Sequence, residues 1–346
     1  MIIDSPLDLV FRDIFYRVSN LVDGIDIFLK LEGFNVTGSI KLKTAIGLIE
    51  DLEKRGIAKK GETTIVESSS GNLGLALSMV CAAKGYRFIC LTDPTANRAT
   101  IRTMELYGAE VIVVEARDAG GGYLGSRLSA ISQILQSNPN AVWPNQYANK
   151  ANMDVHAEQT AVEIARQFDK LDWVFIGTGT TGTFAGVSER LRLEFPNIKV
   201  VAVEPEGSVT FGGEPGRRNI PGIGTSVRPK LADFAKPDMI VTVNEEETVA
   251  SCLSFVRDYN LLVGGSTGTV LSAIRKTSSE FRAGDTVVAI SPDLGDRYLD
   301  TIYNPDWVEE NIRSKRQWPA SAPAQPAVIE EPGEKIRLLR GAAVRR

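Results

Sequence analysis

The chain has 346 residues, 43% hydrophobic and 24% charged, with a formal net charge of −4. That is enough apolar material for one large core or two modest ones. It excludes the basic, aromatic-studded surface of a nucleic-acid binder. No apolar run approaches the ~20 residues that cross a bilayer, and Met1-Ile2-Ile3-Asp4-Ser5 lacks a signal-peptide pattern, so we expect a cytoplasmic protein with no membrane partner.

In chain order, Ile27 to Glu32 reads as a strand and is followed by Gly38-Ser39-Ile40-Lys41 at a helix start. Three strand–helix pairs come next: Thr63 to Glu67 with Asn72 to Lys84, Arg87 to Thr92 with Arg98 to Tyr107, and Glu110 to Val114 with Tyr123 to Gln136. The alternation resumes with Trp173 to Ile176 and a helix after Gly182, then Lys199 to Val203, Met239 to Val243 with a helix from Glu245, and Thr286 to Ile290. Such alternation predicts parallel sheets covered by helices, the α/β class. From 313 to 346 the chain becomes rich in Pro and Ala and ends in Arg345-Arg346, which predicts a disordered, solvated tail.

Three places along this pattern carry chemistry. Lys41 follows two small residues and stands near a helix N-terminus, whose positive end disfavours an ammonium; a desolvated lysine there is a competent Schiff-base nucleophile. Ser69-Ser70-Gly71-Asn72 gathers more hydroxyl, amide and N–H groups than one helix cap needs, so it predicts a carboxylate site. Gly179-Thr180-Thr181-Gly182-Thr183 offers N–H groups and three hydroxyls to a phosphate and has no Walker lysine. Taken alone, Gly177 to Gly182 also fits G-x-G-x-x-G with Glu204 downstream, so dinucleotide binding is the competing reading of that loop. Together the three places point to a lysine-bound, phosphorylated cofactor, pyridoxal 5′-phosphate. Cys81, Cys90 and Cys252 lie apart in apolar stretches and read as plain core. His156, the one histidine, reads as a surface or capping residue, which leaves no metal site and no His-based triad.

Read in order, Lys30-Leu31-Glu32 to Lys41, Glu67 to Gly74, Gly108-Ala109, Asn145-Gln146-Tyr147, the loop 179–183, Gly222-Ile223-Gly224, Gly264 to Gly268 and Gly295 to Leu299 resemble the cysteine synthase and cystathionine β-synthase family. The resemblance covers roughly residues 25 to 303. It implies fold type II of the pyridoxal-phosphate enzymes: two open twisted α/β domains, the cofactor in the cleft between them, and a homodimer. The implied domains are a smaller mobile one at 36–145 and a larger one at 1–35 plus 146–312. It further implies that Lys41 forms the Schiff base and that Asn72 bonds the cofactor's 3′-oxygen. Gly179, Thr180, Thr181, Gly182 and Thr183 then hold the phosphate, while Ser69, Ser70, Gly71, Asn72 and Gln146 hold the substrate carboxylate.

Asp118 to Leu124 with Arg127, Trp143 to Ala148, and Gly207 to Gly212 with Pro221 to Gly224 look closest to one branch of that family. Its members make N-(2-amino-2-carboxyethyl)-L-glutamate, a 2,3-diaminopropionate precursor for siderophores or peptide antibiotics, from O-phospho-L-serine and L-glutamate. The resemblance puts Arg127 and Tyr147 on the leaving phosphate and Gly222 in the substrate pocket; without it, Arg127 reads as an exposed helix residue. Leu42-Lys43 replaces the family's Asp-Arg after the lysine, and Leu294 stands where many members place a serine against the pyridine nitrogen, which makes Ser266 the substitute. The expected reaction is β-replacement, with amino-acid substrates as the only partners. Cysteine synthesis with sulfide is the nearest rival, and a catalytically inactive binding protein on the same fold is the rival from another class.

Overall fold

The structure, a computed structural model, describes residues 5–8, 13–117 and 122–314. The expected tail therefore lies outside the described residues from 315 onward, as do residues 118–121 of the branch motif. The strands are β1 (Phe15–Arg17), β2 (Asp26–Leu31), β3 (Thr64–Ser68), β4 (Arg87–Thr92), β5 (Glu110–Val113), β6 (Ala141–Val142), β7 (Trp173–Gly177), β8 (Lys199–Pro205), β9 (Met239–Val243) and β10 (Thr286–Ser291). The α-helices are α1 (Lys41–Lys54), α2 (Asn72–Lys84), α3 (Arg98–Leu106), α4 (Leu124–Ser137), α5 (Ala151–Val155), α6 (Ala161–Gln167), α7 (Gly182–Glu194), α8 (Glu245–Tyr259), α9 (Gly265–Lys276) and α10 (Pro305–Val308). The predicted strands and helices match these to within a residue or two. The two-residue β6 and the antiparallel β1 carry too few residues to show a period.

The described residues divide into two compact units, one within 52–144 and one formed by those up to 51 and those at 145–314. In the larger, the strand order is β1-β2-β10-β7-β8-β9, with only β1 antiparallel to its neighbour. Five neighbouring parallel strands, β2, β10, β7, β8 and β9, thus end at one edge of the sheet, where α/β folds place their sites. Ile27, Leu29, Phe175, Val201, Val203, Val287 and Ala289 face one layer of core, while Val174, Ile176, Val200, Ala202, Val288 and Ile290 face the other. This is the two-sided burial of a parallel sheet. The smaller unit has the all-parallel order β5-β4-β3-β6, and its α2 is buried at every position from Leu73 to Cys81.

The boundary at 51/52 differs from the expected 35/36, because the first turns of α1 are locked to the larger unit. Lys43 Nζ reaches Glu32 Oε1 at 2.9 Å and Glu163 Oε2 at 2.6 Å, and Gly47 lies against Val155. Lys30 joins the same buried group, 2.8 Å from Glu163. The three cysteines are free and buried, and burial pushes the thiols of Cys90 and Cys252 up to about 12.

Candidate active site

Lys41 opens α1, its backbone N–H donating to Ser39 Oγ at 3.3 Å. The turn before it is tied by Asn35, whose Nδ2 donates to the carbonyls of Glu32 (2.9 Å) and Ser39 (2.7 Å). Gly38 has φ +68°, a backbone conformation that favours glycine, and a Cβ there would come within 2.6 Å of the movable end of Arg297. Lys41 is half-buried, and desolvation holds its ammonium below the ordinary lysine range, with Asp293 and then Glu32 opposing the shift by charge. A lysine poised this way reacts as a free amine at lower pH than an exposed one.

The segment between β7 and α7 is Thr178 to Thr181, and the first turn of α7 adds peptide N–H groups that have no carbonyl partner inside the helix. Thr181 has φ +66°. A Cβ on Gly182 would fall 2.4 Å from Asn152 Cγ, so the turn sits directly on that amide, which also donates from Nδ2 to Thr180 Oγ1 (3.1 Å) and to the Gln146 carbonyl (2.8 Å). The three hydroxyls differ in use. Thr181 Oγ1 donates to the Thr180 carbonyl at 2.6 Å, Thr183 Oγ1 lies 3.2 Å from His156 Nε2, and Thr180 Oγ1 accepts from Asn152 and keeps its own proton to give. Gly224 N–H bonds the Thr178 carbonyl at 2.7 Å, which brings the Gly222 turn (φ +86°) against Gly179.

His156 is a correction to the sequence reading. It is fully buried, in a π-turn (His156–Thr160) between α5 and α6. Its Nε2 is 3.0 Å from Thr44 Oγ1, and its Nδ1 is 3.0 Å from Thr160 Oγ1. Burial, with Lys41 and Lys43 nearby, lowers its proton affinity well below the usual histidine value and keeps it neutral. Among the described residues no group of His, Cys, Asp and Glu is arranged to hold a metal.

Glu204 decides against a dinucleotide site. It is 3% exposed and receives hydrogen bonds from Thr178 Oγ1 (3.2 Å) and Ser208 Oγ (2.6 Å), so it braces the loop from within rather than facing a ribose. Leu294 packs on the Gly33 backbone, 2.6 Å from where a Cβ would stand. Ser266 is 6% exposed in the first turn of α9. Thr267, Thr269 and Ser272 on that helix all hydrogen-bond within the protein, whereas the Ser266 hydroxyl has no partner among the described residues.

In the smaller unit Ser69 does the capping, its Oγ accepting from the N–H groups of Gly71 (3.3 Å) and Gly74 (2.9 Å). Ser70, Gly71 and Asn72 stay half-buried at the start of α2, a surplus of polar groups beyond the cap. Arg127 is not the exposed helix residue that composition suggests. It is 8% exposed, and its Nη1 lies 3.2 Å from Asp93 Oδ2. Beneath the same loop the buried Glu67 accepts from Trp143 Nε1 (2.8 Å) and the Ser68 N–H (2.8 Å). Tyr147 and Gln146 are placed in the larger unit, where Tyr147's carbonyl accepts from Leu231 N–H at 3.1 Å.

These residues fit pyridoxal phosphate: an amine with depressed proton affinity, a helix N-terminus with donors for a phosphate, and the Ser266 hydroxyl, which has no partner among the described residues. The family model described as pyridoxal-phosphate dependent enzyme matches residues 15–293. An N-(2-amino-2-carboxyethyl)-L-glutamate synthase of Ralstonia nicotianae is 38% identical over 331 residues, 95% of this chain and 97% of that one. Among solved structures, O-ureido-L-serine synthase aligns with TM-score 0.80 and 29% identity, covering 88% of this chain and 96% of the other. The O-acetylserine dependent cystathionine β-synthase of Helicobacter pylori aligns with TM-score 0.81 and 30% identity, covering 88% and 100%. The chain belongs to the family of pyridoxal-phosphate-dependent enzymes and has their type II fold.

Proposed function

We propose that the enzyme catalyses β-replacement on O-phospho-L-serine with L-glutamate as the amine nucleophile, giving N-(2-amino-2-carboxyethyl)-L-glutamate. The observation that carries this reading is the 38% identity, over nearly the whole of both chains, to the Ralstonia nicotianae synthase. When bound, pyridoxal phosphate supplies the electron sink that makes the substrate's α-proton acidic and its β-bond breakable. The chain's own residues divide the remaining work. Lys41 Nζ would hold the cofactor and, once freed from it, would take the substrate's α-proton as general base. Gly179, Thr180, Gly182 and Thr183 hold the cofactor phosphate, with Thr180 Oγ1 as a hydroxyl donor. Ser266 meets the ring nitrogen in place of the serine that Leu294 displaces, and Asn72 meets the 3′-oxygen. Ser69 to Asn72 and Gln146 orient the α-carboxylate. Arg127 and Tyr147 receive the leaving phosphate, for which a guanidinium fork supplies paired hydrogen bonds. On the same reading the enzyme is a cytoplasmic homodimer.

Cysteine synthesis is the second reading, favoured by the structural match to an O-acetylserine-dependent enzyme. One experiment separates the two. Purified protein is offered O-phospho-L-serine or O-acetyl-L-serine with L-glutamate or sulfide, and products are read by mass spectrometry. The expected product is the glutamate adduct from the phospho donor, absent with Lys41→Ala. Sulfide consumption with no glutamate adduct assigns the enzyme to cysteine synthesis instead.

A further inference from the structure

Asp293 follows β10 and is 2% exposed. Its backbone pairs with Ser39 in an isolated antiparallel bridge, and Ile40 N–H donates to the Pro292 carbonyl at 2.8 Å. The two residues that lead into Lys41 are therefore fixed to the strand end that carries Asp293. Two contacts hold the carboxylate itself. Tyr298 Oη donates to Oδ2 at 2.5 Å. Oδ1 lies against Gly264, the residue preceding α9, so closely that a Cβ there would stand 1.9 Å away. A carboxylate at that helix end is favoured by the peptide dipoles.

The other charged groups around Lys41 are already committed. Glu32 faces two ammonium groups, Lys43 at 2.9 Å and Lys30 at 3.6 Å. Lys43 turns to Glu32 and Glu163, and His156 is neutral. Next to Asp293, Cys252 is held protonated by burial, and so is Tyr303, whose hydroxyl donates to the Val263 carbonyl at 2.7 Å.

We propose that Asp293 is the counter-charge of Lys41, a positioning residue that steadies the ammonium this lysine becomes when it takes the substrate's proton. The proposal rests on the reading of Lys41 as the cofactor lysine and adds a residue to it. A buried amine is a good nucleophile and a poor keeper of protons, and the same group must serve as both. A fixed carboxylate, oriented by Tyr298 and placed by Gly264, corrects the second fault while leaving the amine desolvated. In keeping with this, Asp293 is the largest influence opposing the desolvation of Lys41.

The test reads Lys41 itself. Full-length protein without cofactor is labelled with cyanate across the neutral to alkaline range, and modification of Lys41 is followed by peptide mass spectrometry against exposed Lys54 in the same digest. Asp293→Asn should label Lys41 about threefold or more faster near neutral pH, because less of the amine is held as ammonium. Tyr298→Phe, which keeps the carboxylate and removes the donor that orients it, should speed labelling to a smaller extent. A folded Asp293→Asn protein with an unchanged or slower profile overturns the proposal. If that variant does not fold, an unchanged or slower profile for Tyr298→Phe overturns it. A parallel arm adds pyridoxal phosphate and traps the imine with borohydride. Failure to trap on wild-type Lys41 would sink the cofactor reading and leave the cyanate result standing by itself.

Discussion

His156 Nε2 stands between two hydroxyls from different helices, 3.0 Å from Thr44 Oγ1 on α1 and 3.2 Å from Thr183 Oγ1 on α7. One neutral ring thereby joins the helix that opens with Lys41 to the helix that follows the Thr178 to Thr181 turn. Its proton affinity is depressed in the folded state, so the unfolded chain binds a proton that the native one refuses. The stability this ring supports is present above the unfolded histidine value and falls as pH drops below it, by about 1.4 kcal/mol per pH unit. Urea titrations across the mildly acidic range should show this slope, and His156→Asn should remove that share of it while lowering stability at neutral pH.

The buried group of Lys30, Lys43, Glu32 and Glu163 should answer strongly to single changes. Glu163→Ala leaves two buried ammonium groups facing one carboxylate, and should cost about 3–5 kcal/mol. Arg190→Ala, which breaks an exposed pair with Glu194 (2.5 Å), should cost within about 0.5 kcal/mol. Denaturant midpoints of the two variants, measured side by side, check the contrast.

Gly186 is where α7 approaches α5, since a Cβ there would lie 2.1 Å from the Met153 carbonyl oxygen. Backbone cannot yield as a side chain does. Gly186→Ala should destabilise by about 1–3 kcal/mol or more, read as a lower melting temperature, and should weaken retention of pyridoxal phosphate by moving the turn that begins α7.

Arg127 should separate the two donors. Replacing its fork with a point charge, Arg127→Lys, should raise KM for O-phospho-L-serine on the order of tenfold and leave O-acetyl-L-serine within about twofold. Equal effects on both donors would remove the leaving phosphate from its role.

The strand-to-helix turns that carry Lys41, Ser69 to Asn72 and Gly179 to Thr183 were legible in the sequence because each is a local signal of small residues, hydroxyls and glycines. The parallel strands were legible because two-sided burial leaves unbroken apolar runs such as Val287 to Ile290. His156 was not, since its burial depends on a π-turn and on Gly47 and Gly186 letting three helices close around it. Arg127 looked like a solvated charge because its partner, Asp93, lies at the end of another strand. The boundary at 51/52 was missed for the same reason: Lys43, Thr44 and Gly47 are held by residues more than ten positions away, and no window on α1 contains them.

Thr178, Glu204, Ser208, Thr210 and Thr225 form one unbroken chain of buried hydroxyls around a single acid. Because its first member adjoins the Gly179 to Thr183 turn and its last follows the Gly222 turn, neither segment can shift without straining the other. Grafting residues 206–225 from a relative with different substrate tastes would therefore transplant cleanly only when all three downstream hydroxyls travel with the graft. A donor lacking them would leave the buried Glu204 with Thr178 as its remaining hydroxyl donor, and the chimera would loosen the Gly179 turn before it gained a new specificity.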